Sequence, residues 1–206
     1  MTTQRTLVVV SAGLGQPSST RLLADRLADA TITELAARGM STTVEVVELR
    51  DLAHEIVNAM LTGFPSGDLA TAIETLTAAD GVIAVTPIFT TSYSGLFKSF
   101  VDILDKDALT GMPVLLGATG GTPRHSLALD YALRPLFTYL HADVATTAVF
   151  AATDDWAAQG DEATTLPERI RRAGRELAET VADRESSGPV GLFDSVPSFD
   201  ELFGGR

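Results

Sequence analysis

The chain contains no cysteine. That excludes disulfides, thiolate metal sites and cysteine nucleophiles. No apolar run reaches the ~18 residues expected of a membrane span. The first residues, Met1-Thr2-Thr3-Gln4-Arg5-Thr6, lead straight into a strand-like run. They lack the apolar stretch and cleavage site of a signal peptide. These absences point to the cytoplasm. Positive charge is scarce too: 15 Lys and Arg against 27 Asp and Glu leave a formal net charge of −12. With no basic cluster to offset this, neither nucleic acid nor an anionic membrane is expected as a partner. The histidines, His54, His125 and His141, have no neighbours at ligand spacing, so no metal site is expected.

What is present is a well-ordered composition. The 206 residues are 45% hydrophobic and 20% charged, enough for one sizeable core and against disorder. Residues 7–10 form a Leu/Val run of the kind buried on both faces of a sheet. A Gly/Ser/Pro loop follows, then a helix over 19–37. Leu23, Leu27 and Ala30 share one face of it, and Arg21, Asp25 and Asp29 the opposite one. Further strands are predicted at 44–49, 81–85, 113–118 and 144–150. Helical patterns occupy 69–78 and 96–104, the second with Ser94 as N-cap. Another opens at Thr122-Pro123, a cap followed by a first-turn proline. The last opens at Thr165-Leu166-Pro167-Glu168, which has the form of a capping box, and carries Ile170, Ala173, Leu177 and Val181 on its apolar face.

Strands alternating with helices predict an α/β fold: a flavodoxin-like three-layer sandwich with a five-stranded parallel sheet in the order 2-1-3-4-5. The six-stranded dinucleotide-binding order fits less well, because no G-x-G-x-x-G follows the first strand. Residues 1–185 are expected to form this domain. Residues 186–206 begin with the linker Ser186-Ser187-Gly188-Pro189. They form an acidic tail studded with Phe193, Val196, Phe199, Leu202 and Phe203, expected to dock on the domain or on a neighbouring subunit.

Three loops fall at the carboxyl ends of adjacent strands, where open α/β sheets bind ligands. The first, Ser11-Ala12-Gly13-Leu14-Gly15-Gln16-Pro17-Ser18-Ser19-Thr20, puts hydroxyls at a helix start. Its free amides and the helix dipole suit an anion. The alternative is a plain helix cap by Ser18 or Ser19. No Gly-Lys-Ser/Thr makes it a Walker A loop. The second runs from Thr86 through Pro87, Ile88, Phe89 and Thr90 to Lys98. It offers an apolar wall, or else a surface loop with inward aromatics. The third is Thr119-Gly120-Gly121-Thr122-Pro123-Arg124-His125. Its glycines permit close backbone approach, and its amides can face negative charge on a ring. His125 lies at a predicted positive helix end, which disfavours its protonation, so it receives no acid–base role. Phosphate at the first loop and a flat ring between the other two describe FMN.

Two stretches carry a family resemblance. One is Thr86-Pro87-Ile88-Phe89 with Tyr93-Ser94-Gly95-Leu96-Phe97-Lys98. The other is Ala118-Thr119-Gly120-Gly121-Thr122 with His125, followed by Leu127-Ala128-Leu129-Asp130-Tyr131-Ala132-Leu133-Arg134-Pro135. Over roughly residues 5–150 the chain resembles the NAD(P)H-dependent FMN reductases, and most closely the reductase partners of two-component, luciferase-like flavin monooxygenases. The resemblance implies reduction of FMN by NADH or NADPH and delivery of reduced FMN to an oxygenase. It places Ser18 and Thr20 at the FMN phosphate with Ser11 and Ser19 nearby. Pro87, Ile88, Phe89 and Thr90 fall on the ribityl chain and ring, and Thr119, Gly120, Gly121, Thr122 and His125 beside the isoalloxazine. Many relatives carry an Arg where this chain has Gly15. Phosphate binding then rests on hydroxyls, amides and Arg21, and weaker binding follows. Arg21 and Arg124 are also candidates for a nicotinamide 2′-phosphate, without choosing NADPH over NADH.

Hydride transfer between the two cofactors asks the protein for positioning and charge stabilisation rather than for a nucleophile. The backbone amides of Gly120 and Gly121 are the expected stabilisers of charge on the flavin. Pro135 removes the donor that the Tyr131 carbonyl would use in a helix, so a kink or π-bulge is expected there. In related sulfonate-system reductases a Tyr at this position lies at a π-helical subunit interface, which implies a homodimer or homotetramer. Other readings are an FMN-holding quinone or azo reductase, a flavodoxin-type electron carrier, and a protein–protein module with a vestigial crevice.

Overall fold

A computed structural model describes residues 3–157 and 165–184. The predicted tail, 186–206, lies outside the described residues. Strand β1 (Gln4–Ser11) sits inside the sheet, between β2 (Ser41–Glu48) and β3 (Gly81–Phe89), parallel to both. β5 (Pro113–Gly120) continues the sheet beyond β3, again parallel. The pure Leu/Val run is explained by this place. Leu7 and Val9 pack into one apolar layer, and Val8 and Val10 into the other. β2, by contrast, is an edge strand, and most of its residues are partly or fully exposed.

The fifth strand is not continuous. It is split into β6 (Asp143–Val144) and β7 (Val149–Ala152), both parallel to β5. The pairing offset grows by two residues between Val114↔Val144 and Gly117↔Val149, an even shift that keeps the inward faces inward. Side chains from neighbouring helices take up the backbone groups that the ladder releases. Arg134 donates to the carbonyls of Ala145 and Thr146 at 2.9 and 3.0 Å. Glu176 accepts from the Thr147 amide at 2.7 Å and from its hydroxyl at 2.5 Å. With β6 and β7 sharing the fifth position, the expected order and flavodoxin-like topology hold. A short β4 (Ser92–Tyr93) adds a hairpin on β3.

Helices cover both faces. α1 (Ser19–Ala37) and α6 (Leu166–Asp183) lie side by side on one, joined through Leu23, Leu27, Ile170, Ala173, Leu177 and Val181. Gly174 lets the two helices touch, since a Cβ there would stand 2.7 Å from Ala30 Cβ. Thr165 precedes α6 in an extended conformation without a side-chain cap bond, so the expected capping box is not formed. The other face carries α2 (Ala53–Thr62), α3 (Gly67–Thr77), α4 (Gly95–Asp102) and α5 (Arg134–Tyr139). α2 was not expected: only Ile56 and Ala59 of it are buried, so its apolar period is faint. The helix expected to open at Thr122 is instead a single 3₁₀ turn, Pro123–His125, and a π-helical turn, Leu129–Leu133, leads into α5.

At the amino ends of β1 and β3, Arg5 holds Asp80 at 3.2 Å and donates to the carbonyls of Ala182 and Arg184. Asp80 also accepts from the Thr6 amide at 2.8 Å. This cluster fastens the end of α6 to β1 and β3.

Candidate functional site

The carboxyl ends of β1, β3, β5 and β7 open onto a crevice of about 400 Å³. That is within the roughly 300–1,000 Å³ of small-molecule sites. All three loops singled out in the sequence contribute to it, and a fourth joins them.

The first loop supplies Leu14, Gly15, Pro17, Ser18, Ser19 and Thr20. Ser18 is the N-cap of α1, its hydroxyl accepting from the Arg21 amide at 3.2 Å. That leaves the amides of Ser19 and Thr20, at the crevice wall, without intrahelical acceptors. An anion fits such a helix start. The loop closes tightly because position 13 is glycine: a Cβ there would lie 2.0 Å from Ser18 Oγ. The Gln16–Pro17 peptide is cis. Thr20 serves structure as well, its hydroxyl bonding that of Thr119 at 2.8 Å with both side chains buried. A hydroxyl can donate once and accept twice, so the pair retains capacity for a ligand.

Two residues expected at this end do not line the crevice. Ser11 does not reach the crevice. It is fully buried, and its hydroxyl has no partner among the described residues. Strand alternation is the reason: Ser11 follows Leu7 and Val9 onto the face covered by α1. Arg21 is also turned away. It sits between Asp25 and Glu48, 2.6 Å from each, in an adjoining hollow that shares Gly15, Pro17 and Ser18 with the crevice and is bordered by Arg50. Its pKa is raised by the hydrogen bond to Asp25 and then by that to Glu48. Arg50 pairs with Asp51 at 3.2 Å and stands 3.5 Å from the carbonyls of Leu14 and Gly15.

The second loop is a hairpin. β3 runs on through Pro87, Ile88 and Phe89, all three lining the crevice, and turns back at Thr90-Thr91 into Ser92 and Tyr93. Thr90 and Thr91 have φ of 48° and 72°, the left-handed pair that a two-residue hairpin demands. Thr90 therefore sits at an exposed tip next to the crevice wall and is not one of its lining residues. Below the tip, buried Thr86 accepts from the Ser94 amide at 3.1 Å, and Ser94 caps α4 through the Phe97 amide. These two hydroxyls hold the hairpin against the sheet.

From the third loop, Thr119, Gly120 and Gly121 line the crevice. Gly120 is confined, since a Cβ would meet the Phe150 ring at 2.9 Å. Thr122 and His125 are half-buried and not part of the wall. Thr122 caps the 3₁₀ turn, accepting from the Arg124 amide at 3.5 Å. A three-residue turn has no appreciable dipole, so the positive helix end invoked beside His125 is absent.

The fourth loop went unnoticed in the sequence. Ala151, Thr153 and Trp156, from β7 and the 3₁₀ turn after it, close the crevice opposite the hairpin. The available signal was positional: the loop follows the fifth strand at the same edge. Among the described residues no group of three or more His, Asp or Glu is placed to hold a metal ion. No described helix is long and apolar enough to cross a membrane.

The sheet order and the crevice at its carboxyl edge define a flavodoxin-like nucleotide-binding protein. Residues 5–157 match the family model described as NADPH-dependent FMN reductase, and the chain belongs to that family. It is 33% identical to the FMN reductase (NADPH) of Pseudomonas aeruginosa, over 89% of this chain and 96% of the relative. It is 34% identical to the NADH-dependent FMN reductase SfnE of Pseudomonas putida, over 84% of this chain and 90% of that one. An oxidoreductase structure from Corynebacterium diphtheriae superposes with a TM-score of 0.84 at 47% identity, covering 88% of this chain and 99% of the other. The chain is thus an NAD(P)H-dependent FMN reductase.

Proposed function

We propose that this reductase treats FMN as a substrate that comes and goes, and hands the reduced flavin to a flavin-dependent monooxygenase. The observation that carries the reading is the phosphate end of the crevice. It offers the hydroxyls of Ser18 and Ser19 and helix-start amides, while Arg21 and Arg50 beside the loop are engaged by Asp25, Glu48 and Asp51. An anion bonded to hydroxyls and amides, with no guanidinium bonded to it, is held loosely. Relatives named SfnE and SfnF support the class.

The residues present fit FMN. A glycine-closed hydroxyl loop suits a phosphate, an apolar wall of Pro87, Ile88 and Phe89 suits a ring, and Gly121, with open space where a Cβ would stand, leaves room for close backbone contact. When bound, the flavin supplies the hydride-accepting centre, with reduced nicotinamide as donor. The protein's own part is geometric and electrostatic. The hairpin fixes the ring's side wall, the α1 start anchors the phosphate, and the amides of Gly120 and Gly121 stabilise negative charge along the ring edge. No side chain has to move a proton in this scheme. Residues 1–185 act as the catalytic unit. A homodimer or homotetramer uses the apolar surface around Tyr131, which is 80% exposed on the π-helical turn.

Aerobic oxidation of NADH and NADPH, with and without FMN, FAD and riboflavin, tests the activity. Flavin-dependent turnover with at least one nucleotide is expected. Stoichiometric FMN surviving extensive dialysis would instead favour a reductase with resident flavin acting on a quinone or azo compound.

A further inference from the structure

We infer that Trp156 is a ligand-binding residue at the phosphate end of the crevice and that Arg26 is its positioning residue. This rests on the reading that the crevice takes FMN. Trp156 lines the crevice with Ser18, Ser19 and Thr20, on a different element from any motif noted in the sequence. Its far side packs against the apolar layer between α1 and α6. Its backbone is fixed by Asp155, which accepts from the Ala152 amide at 2.8 Å and pairs with Arg169 at 2.9 Å. Arg169 in turn donates to the Phe150 carbonyl at 2.5 Å. The indole is therefore held at the mouth from beneath and from its own turn.

Arg26 completes the arrangement. Its guanidinium lies 5.1 Å from the Trp156 ring centroid, a cation–π contact. Arg26 stands on α1 two turns after Ser19, so the stacked pair flanks the first turns of the helix whose start would hold the phosphate. Its charge also differs from that of its neighbours. Arg21 and Arg50 are paired with carboxylates, whereas Arg26 pairs with none among the described residues. Its cation holds the indole at the crevice and adds a longer-range field that favours a dianionic phosphate over a neutral ligand end.

The test compares FMN with riboflavin, which lacks the phosphate, by quenching of flavin fluorescence on wild type, Trp156→Ala, Trp156→Phe, Arg26→Ala and Arg26→Lys. Urea unfolding is measured in parallel. Trp156→Ala should weaken FMN binding by about tenfold, and Arg26→Ala by about threefold to tenfold, each with a smaller effect on riboflavin. Trp156→Phe and Arg26→Lys should recover much of the loss. The FMN affinity of Arg26→Ala should also fall less steeply with added salt. Unchanged FMN affinity in Trp156→Ala, or equal losses for FMN and riboflavin, would overturn the inference. If wild type itself bound no flavin, the reading of the crevice would fail instead. The two failures are thus distinguishable.

Discussion

Gly13→Ala is the sharpest test of how the phosphate loop is built. A Cβ at position 13 would lie 2.0 Å from Ser18 Oγ, 3.1 Å from Ser18 Cβ and 3.2 Å from Thr20 Cβ. Rotating the Ser18 hydroxyl away removes the first clash but gives up the α1 cap, which costs about 1 kcal/mol. The two remaining contacts then still press on β-carbons, so the loop backbone must shift, at about 1–3 kcal/mol for an overpacked site. That shift strains the buried Thr20–Thr119 bond, 2.8 Å long, because Thr20 on α1 cannot follow without leaving Thr119 on β5. The expected total is about 2–4 kcal/mol lost in urea unfolding with an unchanged m-value. FMN affinity should fall by more than about tenfold at temperatures where the variant remains folded, since cap and amides move together. Gly174→Ala is the matched control. Its Cβ would meet the backbone of Ala30 and Thr31 at 2.9 Å, at the crossing of α1 and α6. It should lose about 1–3 kcal/mol by the same overpacking yet keep its flavin affinity. If Gly13→Ala unfolds within about 0.5 kcal/mol of wild type, the loop is not packed as described.

Three other outcomes are expected. Replacing Thr90-Thr91 by Asn-Gly should raise stability by about 1–2 kcal/mol in calorimetry, because both positions hold left-handed φ that β-branched residues resist; a lowered melting temperature would contradict the hairpin. Asp80→Ala should cost about 3–5 kcal/mol, since it strands Arg5, whose side chain is only 5% exposed, and frees the Thr6 amide; urea unfolding measures it, and a loss under about 1 kcal/mol would show the pair to be dispensable. Tyr131→Ala should leave the folded protomer intact but reduce its mass in sedimentation equilibrium, and an unchanged assembly would remove Tyr131 from the subunit contact.

The sheet was readable where position in the fold imposes composition. β1 and β3 are buried on both faces, so their sequences are continuous apolar runs that hydrophobicity alone reveals. The α6 stripe was equally plain, because Ile170, Ala173, Leu177 and Val181 fall on one face at helical spacing and all four are buried. The π-turn at Tyr131 was foreshadowed by Pro135, which breaks the usual ladder four residues on. The break in the fifth strand was not readable. It is made by Arg134 and Glu176, distant in sequence, capturing the backbone of residues 145–147. The hairpin was hidden for a related reason: its tip is Thr-Thr, where local propensity favours extended backbone over a tight turn.

The site shows a different limit. Hydroxyl residues crowd all three loops, and their type alone does not separate those that meet a ligand from those that hold the scaffold. Ser11 is sent beneath α1 by strand parity, Thr20 and Thr119 bond each other, and Thr122 caps a turn. What remains for a ligand is Ser18, Ser19, the amides around them and the unused capacity of the Thr20–Thr119 pair, beside an apolar wall. The scaffold and the binding surface therefore share residues: Ser18 both caps α1 and lines the crevice, so its hydroxyl hydrogen is left for the phosphate while its oxygen holds the helix. On the proposed reading, a loop so economical would hold its anion through placed hydroxyls and amides, which suits a flavin that leaves once it is reduced.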